Sequence, residues 1–241
     1  PIFSITPLGD LLISDFHGKD LCDFLEEMLE KIDRVVFLGD YDYPYILQNV
    51  LKLSIDKIVL VGNHDFDLCR RKPFFSPSIP MSGFESLATR WDQNHEQKAF
   101  VLQERPFKYV QQTTNGKVLY LHGLLEDPNL DPYREFPELS GRVGNLECSD
   151  NLRNIESNFR RMEELDYWLM IKGHEHVPIV LSYGRGTITK EFLPENSSGL
   201  LGSVNIQLSL EKRYIVGVGS FYLGDYVIFD DEGPSIEFLR I

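Results

Sequence analysis

Five of the six histidines in this 241-residue chain fall in short motifs, each placed at the end of an apolar run. In order along the chain the motifs are Ser14-Asp15-Phe16-His17-Gly18, Gly39-Asp40, Gly62-Asn63-His64-Asp65, Leu121-His122-Gly123 and Gly173-His174-Glu175-His176, the second supplying only its carboxylate. Read as a set they offer hard oxygens and borderline imidazoles but no thiolate. That donor chemistry suits Mn first, with Fe, Zn or Ni as alternatives, and not a structural cysteine–zinc site. Two divalent ions roughly 3.5–4 Å apart can share a carboxylate and a hydroxide, and such a pair clamps a phosphoryl group for in-line displacement.

Some roles follow from ligand chemistry alone. A carboxylate has two oxygens and can bridge two ions, whereas a neutral imidazole cannot. Asp40 stands alone in its motif, which fits a bridging ligand. Asp15 and His17 are alternate residues at a strand end, so a small turn can aim both at one ion. Asp65 reads as a support that orients a ligand or a loop. Glu175 fills the middle of Gly-His-x-His and is expected to point to solvent.

The series D-x-H, G-D, G-N-H-D, H-G and G-H-x-H resembles the calcineurin-like metallophosphoesterase family, from Asp15 to His176, about two-thirds of the chain. The resemblance implies Asp15, His17 and His176 on one metal and Asn63, His122 and His174 on the other, with Asp40 between them. It implies that His64 is not a ligand but lies beside the scissile phosphate, hydrogen-bonding an oxygen or protonating the leaving group. It also implies an α/β fold, a four-layer α-β-β-α sandwich of two mixed sheets flanked by helices. Ser/Thr protein phosphatases of this superfamily read G-D-x-V-D-R-G, where this chain has Gly39-Asp40-Tyr41-Asp42-Tyr43-Pro44 and lacks the arginine. They also read G-N-H-E where this chain has Asp65. The small prokaryotic-type phosphodiesterase or phosphatase branch is therefore expected. Many of its members read S-D-x-H-G-N; here Lys19 follows Gly18 and offers an ammonium instead.

The net charge of −13 bears on partners, because long nucleic acid is bound chiefly through phosphate neutralisation by Lys and Arg. A small phosphate ester, such as a nucleotide, is the substrate this balance leaves. Arg70-Arg71-Lys72 is the one dense basic cluster, and Arg70 and Arg71 are candidates to line the phosphate entrance, with a solvated loop as the competing reading. No apolar run approaches the roughly 18–20 residues a membrane span needs, and no basic-then-apolar segment opens the chain, so a cytoplasmic protein without membrane contact is expected. Cys22, Cys69 and Cys148 are widely spaced and form no C-x-x-C pair, which fits reduced, packed thiols.

With 42% hydrophobic residues and no linker, residues 1–241 read as one domain. Short apolar strands are expected at Leu11–Ile13, Val35–Leu38 and Ile58–Val61, each running into a motif, with helices at Lys19–Ile32 and Tyr45–Leu53 between them. Phe66–Gly83, with Pro73, Pro77 and Pro80, reads as a loop, and Phe84–Glu104 as a helix that carries the sixth histidine, His95, on a packed or half-buried face. A hairpin is expected at Phe107–Gln112 and Val118–Leu121, then a loop at Asp127–Gly144, a helix around Leu152–Leu165 and a strand at Tyr167–Ile171. Strands follow at Ile179–Ser182, Ile188–Phe192, Val204–Leu210, Tyr214–Val218, Tyr226–Phe229 and Ile236–Leu239, with Gly184–Lys212 as an elaboration particular to this chain.

The expected activity is metal-dependent hydrolysis of a small phosphodiester or phosphomonoester by in-line attack of a metal-bridging hydroxide. The alternatives are a catalytically weak binding scaffold on the same fold, as the retromer scaffold subunit is, and a dinucleoside polyphosphate or protein phosphatase. Scaffold relatives typically lose a motif histidine, and here every one is present.

Overall fold

Successive side chains on a strand face opposite ways, so a strand apolar on both faces must be covered on both. The first strands meet this condition: Leu11, Ile13, Val35 and Phe37 belong to one buried cluster, while Leu12, Val36 and Leu38 belong to another. In the computed structural model, which describes residues 9–19, 21, 24, 28, 31–71, 81–104, 108–123, 152–193 and 202–241, the first cluster is closed by helices and the second by a facing sheet.

The strands are β1 (Asp10–Ile13), β2 (Arg34–Phe37), β3 (Lys57–Val59), β4 (Lys108–Thr113), β5 (Gly116–Leu121), β6 (Tyr167–Lys172), β7 (Pro178–Gly184), β8 (Thr187–Phe192), β9 (Val204–Gln207), β10 (Arg213–Val218), β11 (Asp225–Asp230) and β12 (Ser235–Arg240). One six-stranded sheet has the order β3-β2-β1-β11-β12-β9 and the other β4-β5-β6-β10-β7-β8. Both are mixed. In the first, β1, β2 and β3 are parallel and β11 runs antiparallel to β1; in the second, β5, β6 and β10 are parallel and β7 is antiparallel to β10.

Helices α1 (Pro44–Lys52), α2 (Asn63–Arg70) and α3 (Met81–Gln93) cover the outer face of the first sheet through Ile46, Leu47 and Val50, Phe66 and Leu68, and Phe84, Ala88 and Trp91. Helix α5 (Leu152–Glu164) covers the second sheet, laying Ile155, Phe159 and Met162 on Leu119, Leu121, Met170 and Ile215. Between the sheets lie Leu12, Val36, Tyr120, Ile171, Val216, Val227 and Phe229. The four-layer α-β-β-α sandwich is therefore the observed architecture.

Several elements differ from expectation for identifiable reasons. The stretch expected as a loop from Phe66 begins instead inside α2, which starts at Asn63. Gly62 takes the extended N-cap conformation, and the Asp65 side chain reaches back to its N–H at 3.0 Å, so the helix is capped whatever the prolines downstream dictate. Those prolines lie outside the described residues. The helix expected over Phe84–Glu104 starts at Met81 and breaks at Asn94; α4 (His95–Ala99) then opens a new register and passes into a π turn at Phe100–Glu104. His95, expected on a packed or half-buried face, is consequently exposed, and Gln97 takes the buried position. Strand β6 runs one residue further than expected and carries Lys172 into the interior. The elaboration after Gly184 supplies an edge strand to each sheet, β8 to the second and β9 to the first; residues 194–201 of it lie outside the described residues.

Of the helix expected at Lys19–Ile32, Phe24 and Met28 are helical and pack on the first cluster, to which Leu21 and Ile32 also belong; Leu25 and Leu29 lie outside the described residues, as does the Asp127–Gly144 loop. Among the described residues no helix is long and apolar enough to cross a membrane.

Candidate metal centre

Five strands deliver the motifs: β1, β2 and β3 from one sheet and β5 and β6 from the other, each motif following the carboxyl end of its strand. Carboxyl-end loops of parallel strands are where α/β sheets build sites. Here two such edges meet. After β1, Phe16 is fully buried against Phe37, Tyr41 and Phe221, and this anchor turns its neighbours Asp15 and His17 the other way. Asp15, His17, Asp40, Asp42, His174 and His176 all have positive φ. Backbone strain of this kind persists where the surroundings over-determine it, and it gathers at functional sites.

The loops approach each other too closely for side chains. A Cβ at Gly62 would collide with the Asp40 carboxylate, and one at Gly173 with the Ser14 hydroxyl. Asp65 is wholly buried and holds the Asp40 loop in place. Its carboxylate accepts the backbone N–H groups of Asp40 and Tyr41 at 2.9 Å each, of Gly62 at 3.0 Å and of Asp42 at 3.3 Å. Burial, with Asp40 and Asp42 nearby, pushes its carboxyl up to about 7.

The ligand candidates converge in two groups. Donor atoms of Asp15, His17, Asp40 and His176 lie within 4.8 Å of one another, as do those of Asp40, His122 and His174. Asn63 completes the second group, its Oδ1 2.9 Å from His174 Nδ1 and 3.0 Å from His122 Nε2. Asp40 belongs to both.

The tautomers are set from behind. His122 Nδ1 donates to the Leu38 carbonyl at 2.8 Å, which turns its Nε2 toward Asn63 Oδ1 and, at 3.2 Å, Asp40 Oδ2. His17 Nδ1 donates to Asp42 Oδ2 at 2.9 Å, which leaves its Nε2 2.9 Å from His176 Nε2. The buried Asp15 Oδ1 has no hydrogen-bond donor and sits 3.2 Å from His176 Nε2. Acceptor atoms facing one another at these distances are what a shared cation satisfies. The residues present therefore fit two divalent ions, and the oxygen-and-imidazole donor set fits Mn, Fe, Zn or Ni.

Before an ion binds, Asp15 and His174 are in ligand-competent states, whereas His122 holds a proton that a bound cation would displace. Burial works against the charge on Asp15, but the nearby histidines, His176 foremost, hold it down to about 2. His174 is held neutral, down to about 3, by burial and by the charges of His122 and Lys172. Burial pulls His122 down, but Asp40, Asp15 and the Leu38 carbonyl outweigh it and raise it to about 9.

His64 falls beside the two groups. Its backbone N–H donates to Asp40 Oδ1 at 3.0 Å, and its Nδ1 meets Asp42 Oδ1 at 2.9 Å. Asp42 therefore ties His17 to His64 through one carboxylate, and sequence reasoning missed this. The available signal was a second acid two residues after Asp40 in the same tight loop. Donor atoms of His17, Asp42 and His64 also lie within 4.8 Å of one another, but the two Nδ1–H···carboxylate bonds already account for that trio.

Glu175, expected to point to solvent, is turned inward: its side chain is 7% exposed and pairs with Lys172, which is fully buried. Lys172 ends β6 with its ammonium inside, so an acid three residues on is drawn in to meet it, and the loop that carries His174 and His176 is fixed from beneath. Burial pushes the Glu175 carboxyl up, against the pull of Lys172. Removing one partner of a buried pair leaves an uncompensated charge, whereas apolar replacement of both is often neutral. Glu175→Ala is expected to cost about 3–5 kcal/mol of stability in urea unfolding, and the double change Lys172→Met with Glu175→Leu to recover most of it. A single variant within about 0.5 kcal/mol of wild type, the range of ordinary surface changes, would remove the pair from the stability of this loop.

The three basic candidates make contacts of their own. The Lys19 ammonium lies over the Phe221 ring, 4.8 Å from its centre. Arg70 stacks on Phe66, and Arg71 pairs with Glu85 at 2.9 Å and with Asp92; both arginines stand at the carboxyl end of α2, whose amino end carries Asn63. Cys69 is buried, and burial pushes its thiol up, so it acts as a packed apolar group; Cys22 and Cys148 lie outside the described residues.

Residues 11–190 match the model of the calcineurin-like phosphoesterase superfamily domain, and the chain belongs to that superfamily. No curated protein matches the sequence. Among solved structures, a hypothetical protein of Pyrococcus horikoshii OT3 is similar in fold, with a TM-score of 0.61 at 14% identity over 96% of this chain and 87% of that one. An archaeal protein described as a novel phosphodiesterase also aligns, with a TM-score of 0.45 at 11% identity over 96% of this chain and 99% of that one. So does Vps29 of Chaetomium thermophilum, with a TM-score of 0.43 at 10% identity over 96% and 94% of the two chains.

Proposed function

We propose that this protein hydrolyses small phosphate esters with two divalent transition ions, held by Asp15, His17, Asp40 and His176 on one side and by Asp40, Asn63, His122 and His174 on the other. The observation that carries this reading is the Asp40 carboxylate, which belongs to both donor groups at once. Ions bound there would supply Lewis acidity toward a phosphoryl oxygen and a nucleophile at neutral pH. The remaining chemistry belongs to the chain. Asp42 holds Nδ1 of His64 and leaves its Nε2 free to face the ester. Before an ion binds, burial pulls His64 down but the carboxylates of Asp40, Asp42 and Asp65 raise it to about 10; the protonated ring would serve the leaving oxygen as a proton donor or a non-bridging one as a hydrogen-bond donor. The ligands and His64 are packed from behind by Phe16, Asp65 and the Lys172–Glu175 pair, so the site is rigid before substrate arrives.

The substrate is a small phosphodiester or phosphomonoester. The net charge of −13 argues against long nucleic acid, and Gly39–Pro44 lacks the arginine that protein phosphatases carry in that loop. Elemental analysis is expected to find about two transition ions per chain, with chelation removing hydrolysis of bis-p-nitrophenyl phosphate and Mn²⁺ restoring it. The monoester, cyclic nucleotides, dinucleoside polyphosphates and a phosphopeptide complete the panel. Protein free of transition metal and indifferent to chelator would overturn the dinuclear reading. Turnover confined to the phosphopeptide would overturn the substrate class, and metal-loaded protein inert toward every ester would identify a binding scaffold on this fold.

A further inference from the structure

One aromatic ring beside the centre has no structural work to do. The turn after β10, Phe221–Leu223, points Phe221 inward, fully buried against Phe16 and Phe24, and leaves Tyr222 outward at 59% exposure. The Tyr222 ring stands 6.4 Å from that of the ligand candidate His17, nearly perpendicular to it at 86°. Its hydroxyl has no hydrogen-bond partner among the described residues. Two further apolar side chains are exposed, Leu223 on the same turn and Val177 directly after the ligand candidate His176.

The turn is held firmly even though the ring is exposed. The Tyr222 backbone N–H donates to the Asp15 carbonyl at 3.2 Å, and the Ser220 hydroxyl donates to the same oxygen at 3.0 Å. Phe221 N–H donates to the Ser14 carbonyl at 2.8 Å. Gly224 closes the turn at φ 98°, with its N–H on the Phe221 carbonyl at 2.9 Å. The turn is thus fastened to the residue that supplies the first carboxylate, which fixes the backbone of Tyr222 beside His17 and leaves the ring only its two side-chain torsions. A large rigid ring with few rotatable bonds binds a planar partner at low entropic cost.

We propose that Tyr222 is a specificity residue whose ring stacks on the planar aromatic group of a phosphate ester, a nucleobase or an aryl ring, while the phosphate lies on the metal centre. The assignment rests on the phosphoesterase reading of that centre and narrows it to esters whose organic group has a π face. Stacking of a base on an aromatic side chain is sequence-tolerant, so discrimination among bases is weak and discrimination against alkyl esters is strong.

The test uses equilibrium binding to Mn²⁺-loaded full-length protein, read by calorimetry with adenosine 5′-monophosphate, phenyl phosphate, glycerol phosphate and inorganic phosphate. Tyr222→Ala is expected to weaken adenosine monophosphate, phenyl phosphate or both by about tenfold or more, with metal content and the affinities for inorganic and glycerol phosphate holding steady. Tyr222→Phe, which keeps the ring, restores the loss. The larger loss names the source: the nucleotide for a nucleobase, phenyl phosphate for an aryl ester. Equal weakening of all four ligands, or no weakening of either aromatic one, overturns the proposal. If adenosine monophosphate binds in a Tyr222-dependent way while no ester is hydrolysed, the platform stands and the hydrolytic reading of the centre falls.

Discussion

Asp40→Asn is expected to lose both metal ions and, with them, all measurable turnover, while the protein stays folded. The geometry separates these outcomes. Asp40 sits in the left-handed region at φ 61°, and Asn is one of the few residues that accept it, so the loop keeps its path. The backbone around it is held by Asp65, which the substitution does not touch. An amide oxygen can still accept the His64 N–H that now reaches Asp40 Oδ1. What changes is the side turned toward His122 Nε2, at 3.2 Å, where a carboxylate oxygen becomes an N–H donor and the charge shared by both donor groups disappears. Losing a mere outer partner of a ligand typically costs about 10–100-fold in metal affinity, and losing the bridge should exceed that. Elemental analysis and circular dichroism on the same sample decide the matter. A folded variant that still holds two ions would take the bridging role away from Asp40.

The parts of this molecule legible in the sequence are those in which local pattern and tertiary context agree. Leu11–Ile13 and Val35–Phe37 are apolar on both faces, and the structure buries both faces, one under helices and one under the opposite sheet. The motif residues were legible because metal ligation limits residue types so severely that Asp, His and Asn at strand ends carry information without any contact being known. The positions that misled are those where a remote partner decides. Glu175 reads as a solvated acid until Lys172, three residues earlier, proves to be buried at the end of β6. Asp42 reads as one more loop acid until a left-handed turn at φ 61° brings it between His17 and His64. His95 was placed by carrying a helical period through Asn94, where the helix in fact restarts. At the start of α2 the prolines from Pro73 onward point to a loop, whereas in the fold the reach of Asp65 back to Gly62 starts a helix.

His64→Gln is expected to keep both ions and to lose about 10²–10⁴-fold in kcat/KM, the contribution of a positioned proton donor or charge stabiliser. Its ring Nδ1 is held by Asp42, and its backbone N–H, not its ring, is what reaches Asp40. Glutamine preserves that N–H and much of the volume but has no titratable proton. Two readings follow from this. Metal content should match wild type, because Asp15, His17, Asn63, His122, His174 and His176 are untouched. The fall in kcat/KM that a proton donor imposes as pH rises through its pKa should vanish, because the group that must be protonated is gone. Esters with very acidic leaving groups need little protonation, so the loss should be smallest for p-nitrophenolate and grow as the leaving alcohol becomes more basic. A variant that loses one ion would make His64 a ligand. A variant that keeps both ions and loses equally on every leaving group would leave it a charge stabiliser and not the proton donor; intact metal content with a loss that grows with leaving-group basicity is the result that assigns the proton to His64.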